Sequence, residues 1–378
     1  MRKLFTFLLV LSGSMAMAQS YYNEWIDFSK TYYKFKVVSN GLYRIPASVL
    51  ASAGLSAADA KDFQLFRNGV EVPLYTSINS GPLSAGDYIE FWGQMNDGKP
   101  DKPLYRNPAY QHTDKWSLQS DTAVYFLTVN STGIPRHYAT MPNDTAGNVL
   151  PAEPYFIYTA GSYFHNQLNP GRAFVLEQYI YSSSYDIGEF FSSLFSTPSS
   201  PVTDNQNNLF IYPGGPQASL RFGAAGCSDT LRNIQVKVNN NIVKDTTLDG
   251  FNDLVSSITV PPGVLNSTST SFQFVNVSQA LTYEDRLVVS FYELSYPRQF
   301  NFGGQANFNF QLAPSATGYY LKISNFNAGA SNPVLYDMAT GQRFVTQPVA
   351  GILNFVIPPA PVSRNLFLVS EDPSNINT

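Results

Sequence analysis

Short alternations of apolar and polar residues, cut at close intervals by turn residues, restrict this chain more than any other feature. Tyr33, Phe35 and Val37 alternate with Lys34, Lys36 and Val38, and Asn40-Gly41 stands between them and the run 42–45. A period of two puts alternate side chains on opposite faces of a strand. Asn-Gly accepts the positive φ angles of a type I′ turn, so the pattern predicts a hairpin. The same reading gives a second hairpin, from 63–67 through Asn68-Gly69 to 70–75, and further strands at 87–92 and 122–129. The clearest helix is short, residues 46–53, with Pro46 at its first position and Gly54 as its stop.

Beyond residue 150 the strands stay short and the turns frequent. Strands are expected at 173–181, 209–212, 218–222, 234–238, 256–260, 271–275 and 287–296, with turns at 239–241, 261–263 and 266–269. Further strands are expected at 306–312, 318–323, 333–337, 342–345, 353–357 and 365–369, with 338–341 as a turn. The 24 Tyr and 28 Phe, against 13% charged residues, favour strands over helices. The fold class expected is all-β. A small N-terminal β domain at 19–150 precedes a jelly-roll-like β-sandwich at 151–298. The C-terminal β segment, 299–378, either forms a separate unit or completes a neighbouring sheet.

Residues 1–18 read as a cleavable export signal. Arg2 and Lys3 precede the apolar run 4–11, and Ala16-Met17-Ala18 supplies the small residues of a cleavage site. No later segment approaches the roughly 20 apolar residues a membrane helix requires, so no transmembrane segment is expected. Removing Arg2 and Lys3 takes the formal charge from −4 to −6. A nucleic-acid binder needs a clustered basic face, and none is visible. Cys227 is the single cysteine, which excludes an intramolecular disulfide and leaves stability to packing.

Few residues invite a chemical role. A cysteine peptidase pairs a thiolate with an imidazole; Cys227 with His112, His137 or His165 is the available set, but no motif surrounds them, and a buried structural thiol is the plainer reading. A glycosidase needs two carboxyl groups about 5 to 10 Å apart. Glu177, Asp186, Glu189, Glu284, Asp285 and Glu293 are candidates without a motif. Metal-ligand spacings and phosphate-binding glycine loops are absent, so no cofactor is expected. The polar, aromatic stretch 93–120 is long for a loop in a compact domain, and loops of that length are often functional; a packed Ω-type loop anchored by Trp116 is the alternative. Tyr155, Phe156, Tyr158, Tyr163, Phe164 and His165 cluster in sequence, as a stacking surface for a sugar or as packing between domains. Trp116, Tyr163, Phe164 and His165 are the candidate binding surface.

Several motifs occur in a recognisable order: 40–45 (Asn-Gly-Leu-Tyr-Arg-Ile), 66–69 (Phe-Arg-Asn-Gly), 86–93 (Gly-Asp-Tyr-Ile-Glu-Phe-Trp-Gly) and 121–127 (Asp-Thr-Ala-Val-Tyr-Phe-Leu). They are followed by 293–298 (Glu-Leu-Ser-Tyr-Pro-Arg), 334–337 (Val-Leu-Tyr-Asp) and 341–344 (Gly-Gln-Arg-Phe). Together they resemble the N-terminal region of PorU-like proteins, gingipain-type cysteine peptidases that act as sortases of the type IX secretion system. In that family the peptidase domain follows this region, and none of His112, His137, His165 or Cys227 matches its catalytic motifs. The resemblance therefore implies a non-catalytic β region at the periplasm or outer-membrane surface. Its implied partners are a peptidase domain, in cis or as a split product, and type IX components or secreted clients. A free-standing adhesin or carbohydrate-binding sandwich is the alternative, and an independent enzyme the third reading.

Overall fold

A computed structural model describes residues 23–182, 185–278 and 285–378. The export signal at 1–18 and the candidate Glu284 lie outside the described residues. The chain is an all-β assembly of three sandwiches, each with its own apolar core.

In the first sandwich one sheet runs β1 (Tyr33–Val37), β7 (Ala123–Val129), β3 (Phe63–Arg67), β4 (Val70–Val72). It faces β5 (Tyr75–Thr76), β6 (Tyr88–Gly93), β2 (Gly41–Pro46) and, from the far end of the chain, β27 (Ile376–Asn377). Val37, Phe63, Leu65, Ile89, Phe91 and Tyr125 fill the space between them. Helix α1 (Ala47–Ser52) is present, with Pro46 as its extended N-cap residue rather than its first helical one.

The two Asn-Gly pairs behave differently. Asn68 and Gly69 both take positive φ, 50° and 76°, and β3 folds back on β4 with Arg67 opposite Val70, a type I′ hairpin. The hairpin expected at Asn40-Gly41 does not form. β1 pairs with β7 and β2 with β6, so the link between them crosses from one sheet to the other. The reason is burial: Phe35 and Val37 face the core from one sheet and Leu42 from the other sheet's second face, against Trp92. A flat hairpin would leave one set in water.

The second sandwich is a jelly roll. One sheet runs β9 (Phe156–Tyr163), β19 (Leu287–Arg298), β14 (Ser219–Gly226), β17 (Asp253–Thr259). The other runs β13 (Val202–Asn207), β18 (Ser269–Val277), β15 (Leu231–Val238), β16 (Asn241–Asp249). First and last strands are neighbours, as are second and second-last, which is the double Greek key of that fold. β15 shows the pattern that drives it: Ile234, Val236 and Val238 point inward and alternate with polar residues. The turn at 239–241 is a β15–β16 hairpin with Asn239 and Asn240 at positive φ, so β16 follows a turn that the pattern located without its second strand.

Two expectations here are corrected. Residues 173–181 are not one strand. They form a hairpin of β10 (Gln167–Val175) and β11 (Gln178–Ile180), turning at Leu176 and Glu177, which both adopt positive φ without glycine. With β12 (Ile187–Ser192) this makes a small sheet inserted between the first two jelly-roll strands. Residues 209–212 form no strand; Leu209 packs in the jelly-roll core, and Ile211 makes a single bridge to Arg298.

In the third sandwich β20 (Asn301–Gln305), β22 (Tyr319–Phe326) and β25 (Ile352–Ile357) face a second sheet. That sheet runs β21 (Asn307–Leu312), β26 (Arg364–Val369), β23 (Val334–Asp337), β24 (Gln342–Val345), β8 (Ala139–Met141). Its last strand, β8, comes from the chain leaving the first sandwich and runs parallel to β24.

The seam between the first and third sandwiches is both apolar and ionic. The rings of Trp92 and Phe367 lie 4.5 Å apart, among Leu42, Tyr336 and Val369. Behind them Glu90 is fully buried, held by Arg44 at 2.5 Å and by the Tyr336 hydroxyl. Arg44 and Arg343 also share Glu371, at 3.2 and 2.7 Å. Burial, with Glu371 nearby, pushes the Glu90 carboxyl up from its ordinary range despite Arg44. A carboxyl whose folded pKa is raised contributes most to stability in acid and progressively less as pH rises towards that raised value.

Removing the cation should exaggerate this. Arg44→Met is expected to cost about 3–5 kcal/mol near neutral pH, because it strands a buried carboxylate. The gap to wild type should narrow as pH falls from about 7 towards 4 and Glu90 takes up its proton, read from urea unfolding at a series of pH values. Gly69→Ala should cost about 1–2 kcal/mol by forcing a Cβ into the left-handed region, measured in the same unfolding experiment.

Candidate functional site at the seam of the first two sandwiches

Residues 94–122 connect β6 to β7, and they leave their own sandwich to lie on the jelly roll. Local bonds first give the loop its shape. Two 3-10 turns, Lys99–Leu104 and Pro108–Tyr110, follow from their prolines, and the Asn107 side chain caps the second by accepting from the Ala109 N–H. Asp101 is buried inside the loop, where it accepts from Ser117 Oγ at 3.1 Å and the Leu118 N–H at 2.6 Å. The loop is thus packed by its own side chains, as the Ω-type reading expects.

Its outward residues reach the second sandwich. Tyr105 donates its hydroxyl to the Glu189 carbonyl at 2.7 Å, and Arg106 pairs with Asp186 at 3.0 Å. The Trp116 indole N–H donates to the Tyr163 carbonyl at 3.0 Å, and its ring stacks on His165 with centroids 4.5 Å apart. His165 lies in turn against Phe191. Tyr163 donates to Glu293 at 2.6 Å, and Glu293 pairs with Arg221 at 3.1 Å. Burial, followed by the bond to Glu293, pushes the Tyr163 hydroxyl up, so it stays protonated and a donor.

At the centre is His112. Its Nδ1 lies 2.8 Å from Ser290 Oγ, its Nε2 lies 2.9 Å from Asp253 Oδ2, and its ring stacks on Phe190 at 4.3 Å. The residue types are those of a Ser-His-Asp triad, but the ring nitrogens are exchanged: in the triad Nε2 faces the serine and Nδ1 the carboxylate. Ser290 gains its place from a β-bulge: Gly223 pairs with Phe291 and Ala224 with Val289, leaving Ser290 as the extra residue. Gly223 is required beneath it, because a Cβ there would stand 2.5 Å from Ser290 Oγ and 2.7 Å from His112 Nδ1.

Position decides what the constellation does. Ser290 and the His112 side chain are fully buried, in mid-strand and under the loop, so no substrate carbonyl can reach Oγ. The three groups instead fasten the loop to the strand face, satisfying one another's polar atoms as a buried network must.

Of the candidate surface, the structure brings Trp116, Tyr163 and His165 together in this seam. Phe164 turns the other way and packs against the jelly-roll core near Tyr292. His137 hydrogen-bonds the Phe63 carbonyl at 2.9 Å in the first sandwich, far in the fold from Cys227. Cys227 is buried beside Phe190 and Val288, with its Sγ on Asn169 Oδ1, and burial pushes the thiol up to about 12. A thiol so placed is a packing group, not a nucleophile.

Among the carboxylates, Asp186 and Glu189 meet at the start of β12, where Asp186 N–H donates to Glu189, and burial raises the Glu189 carboxyl. Asp285 is locked with Arg232 at 2.6 Å, both fully buried. Glu177 stands at the β10–β11 turn. Among the described residues, no three His, Cys, Asp or Glu are grouped to hold a metal. No helix among them is long and apolar enough to cross a membrane.

The architecture defines a class: a multi-sandwich β protein with a central jelly roll clamped by a loop from its neighbour. Among solved structures, the chain aligns with the crystal structure of dimeric latent PorU from Porphyromonas gingivalis, at a TM-score of 0.54 and 14% identity. The alignment covers 89% of this chain and 31% of that one, and it shows a shared fold. A carbohydrate-binding module solved with calcium and xylotriose aligns at 10% identity over 26% of this chain and 76% of its own, with a TM-score of only 0.21. A β-porphyranase of Bacteroides plebeius aligns at 12% over 72% and 35%, with a TM-score of 0.22. No family model and no curated protein sequence matches the chain.

His112→Ala should cost about 2–4 kcal/mol, since it leaves the Ser290 hydroxyl and Asp253 without their partner in a buried seam. Hydrogen exchange should quicken in residues 94–122 and in β12, while β15 and β18 in the jelly-roll core keep their protection. Uniform quickening in all three would mean the loop is not a separate clamp.

Proposed function

We propose that this chain is the non-catalytic β region of a PorU-like, gingipain-type sortase of a type IX secretion system. In this reading it supports a cysteine peptidase domain, supplied in cis or as a split product, and offers a surface to secreted clients or to the secretion machinery. Its place of work is the periplasm or the outer-membrane surface. The observation that carries the reading is the shared fold over 89% of this chain against 31% of PorU, which leaves most of that protein outside the match. The motif order along the sequence supports it independently. Two fastened seams, at Glu90 and at His112, suit a support that must hold a second domain in one orientation.

The test is association. The purified chain, mixed with a gingipain-type peptidase domain encoded beside or downstream of it, is expected to co-elute on size exclusion and to raise that domain's melting temperature. Independent elution, combined with specific signals on a glycan array that are lost in Tyr163→Ala, would replace this reading with the carbohydrate-binding one.

A further inference from the structure

The crossing link at Asn40-Gly41 has a structural cost. Because β1 and β2 go to opposite sheets instead of pairing, the first sandwich is left open along one side. Among the described residues, β1 ends its sheet and pairs only with β7. Among those residues, β2 carries a neighbour on its outer edge only at Leu42 and Tyr43, where β27 runs parallel to it through Ile376 and Asn377.

Between these edges lies a cleft of about 610 Å³. Phe35, Tyr43, Leu50, Phe91 and Leu127 line it, with the Phe91 ring 5.7 Å from Tyr43 and 5.9 Å from Phe35. A second depression of about 390 Å³, towards residues 85–88, borders the first at Arg44, Pro46 and Thr378. Lys34 and Lys36 stand exposed on β1 at its border. Arg44 is already engaged by Glu90 and Glu371, which leaves the two lysines as the cleft's unneutralised positive charge.

We propose that this cleft binds an extended apolar segment of another polypeptide, added as a strand to the free edge of β1. Three observations favour a strand over a compact ligand. The backbone of Tyr33–Val37 presents a row of donors and acceptors on its outer edge, and a strand satisfies such a row. The cleft is apolar at its base, which suits the alternate side chains that a strand on β1 would turn towards it. The same sandwich already accepts a strand added from far along the chain, β27, on the adjoining edge. The exposed lysines select acidic residues flanking the apolar stretch. The inference stands apart from the sortase reading, since it depends only on the open edge and its lining.

The probe is a fluorescein-labelled octapeptide of alternating valine and threonine with an aspartate at each end, titrated into the full chain by fluorescence anisotropy. Saturable binding is expected. Two versions of the peptide, N-methylated on alternate residues in either register, separate strand addition from simple apolar contact. One register should lose binding by about tenfold or more through lost backbone hydrogen bonds, and the other should keep it. Ala53→Trp, which fills the cleft from the end of α1, should weaken the parent peptide to a similar degree; Val49→Trp on the same helix serves if that variant does not fold. Equal binding by both methylated peptides overturns the proposal in favour of a pocket for small amphiphiles. Absence of saturable binding, or binding unchanged in the filled-cleft variant, also overturns it.

Discussion

One strand is buried on both faces, and the positions of the other parts follow from it. β19 sends Leu287, Val289, Tyr292, Leu294 and Tyr296 into the jelly-roll core. An apolar residue such as Val288 on its other face would sit in water unless a further layer covered it, at about 25 cal/mol for each Å² left exposed. β12 supplies part of that layer through Phe190, and the loop 94–122 supplies the rest through His112. The inserted hairpin sheet and the long loop are therefore two halves of one covering. At its end β19 places Arg298 at the border of the second and third sandwiches, where the guanidinium bonds the carbonyls of Leu209 in one and Asn301 in the other and lies over the rings of Tyr158 and Phe308.

A chain without a disulfide has to fasten such layers with packed and fully paired polar groups. The two seams do this by different means. Between the first and third sandwiches, Arg44, Glu90, Tyr336, Arg343 and Glu371 form an ionic chain under an aromatic lid. Between the first and second, the hydrogen-bonded set of Ser290, His112 and Asp253 does the same work, and Trp116 adds its bond to the Tyr163 carbonyl. Both are sensitive to loss of a single member, because each remaining partner would be left buried without a bond.

Much of the strand content was legible because side-chain alternation and turn chemistry act locally. β3, β6, β7, β18, β22 and β26 lie close to where period-two patterns place them, and Asn68-Gly69 turns as Asn-Gly should. The failures have a common cause. Asn40-Gly41 is the same dipeptide, but its flanking strands are claimed by different sheets. The turn at Leu176-Glu177 carries no glycine and so looks like unbroken strand, although both residues adopt the left-handed conformation. In each case pairing with distant strands outweighed the local preference.

The same division holds for the functional reading. By itself the sequence supported an all-β chain, a jelly-roll-like middle and a lone cysteine unfit for an intramolecular disulfide, because these depend on residue type and spacing, while it left the stretch 93–120 open between a functional loop and a packed one anchored by Trp116. Only the tertiary structure could bring His112 to Ser290 and Asp253, which stand 178 and 141 residues away and carry no motif. Only it could show that the unmade hairpin at Asn40-Gly41 leaves an open strand edge over an apolar cleft. Contacts between residues so far apart in the chain depend on which sheet each strand joins, and that is decided by the burial of whole faces rather than by any local sequence.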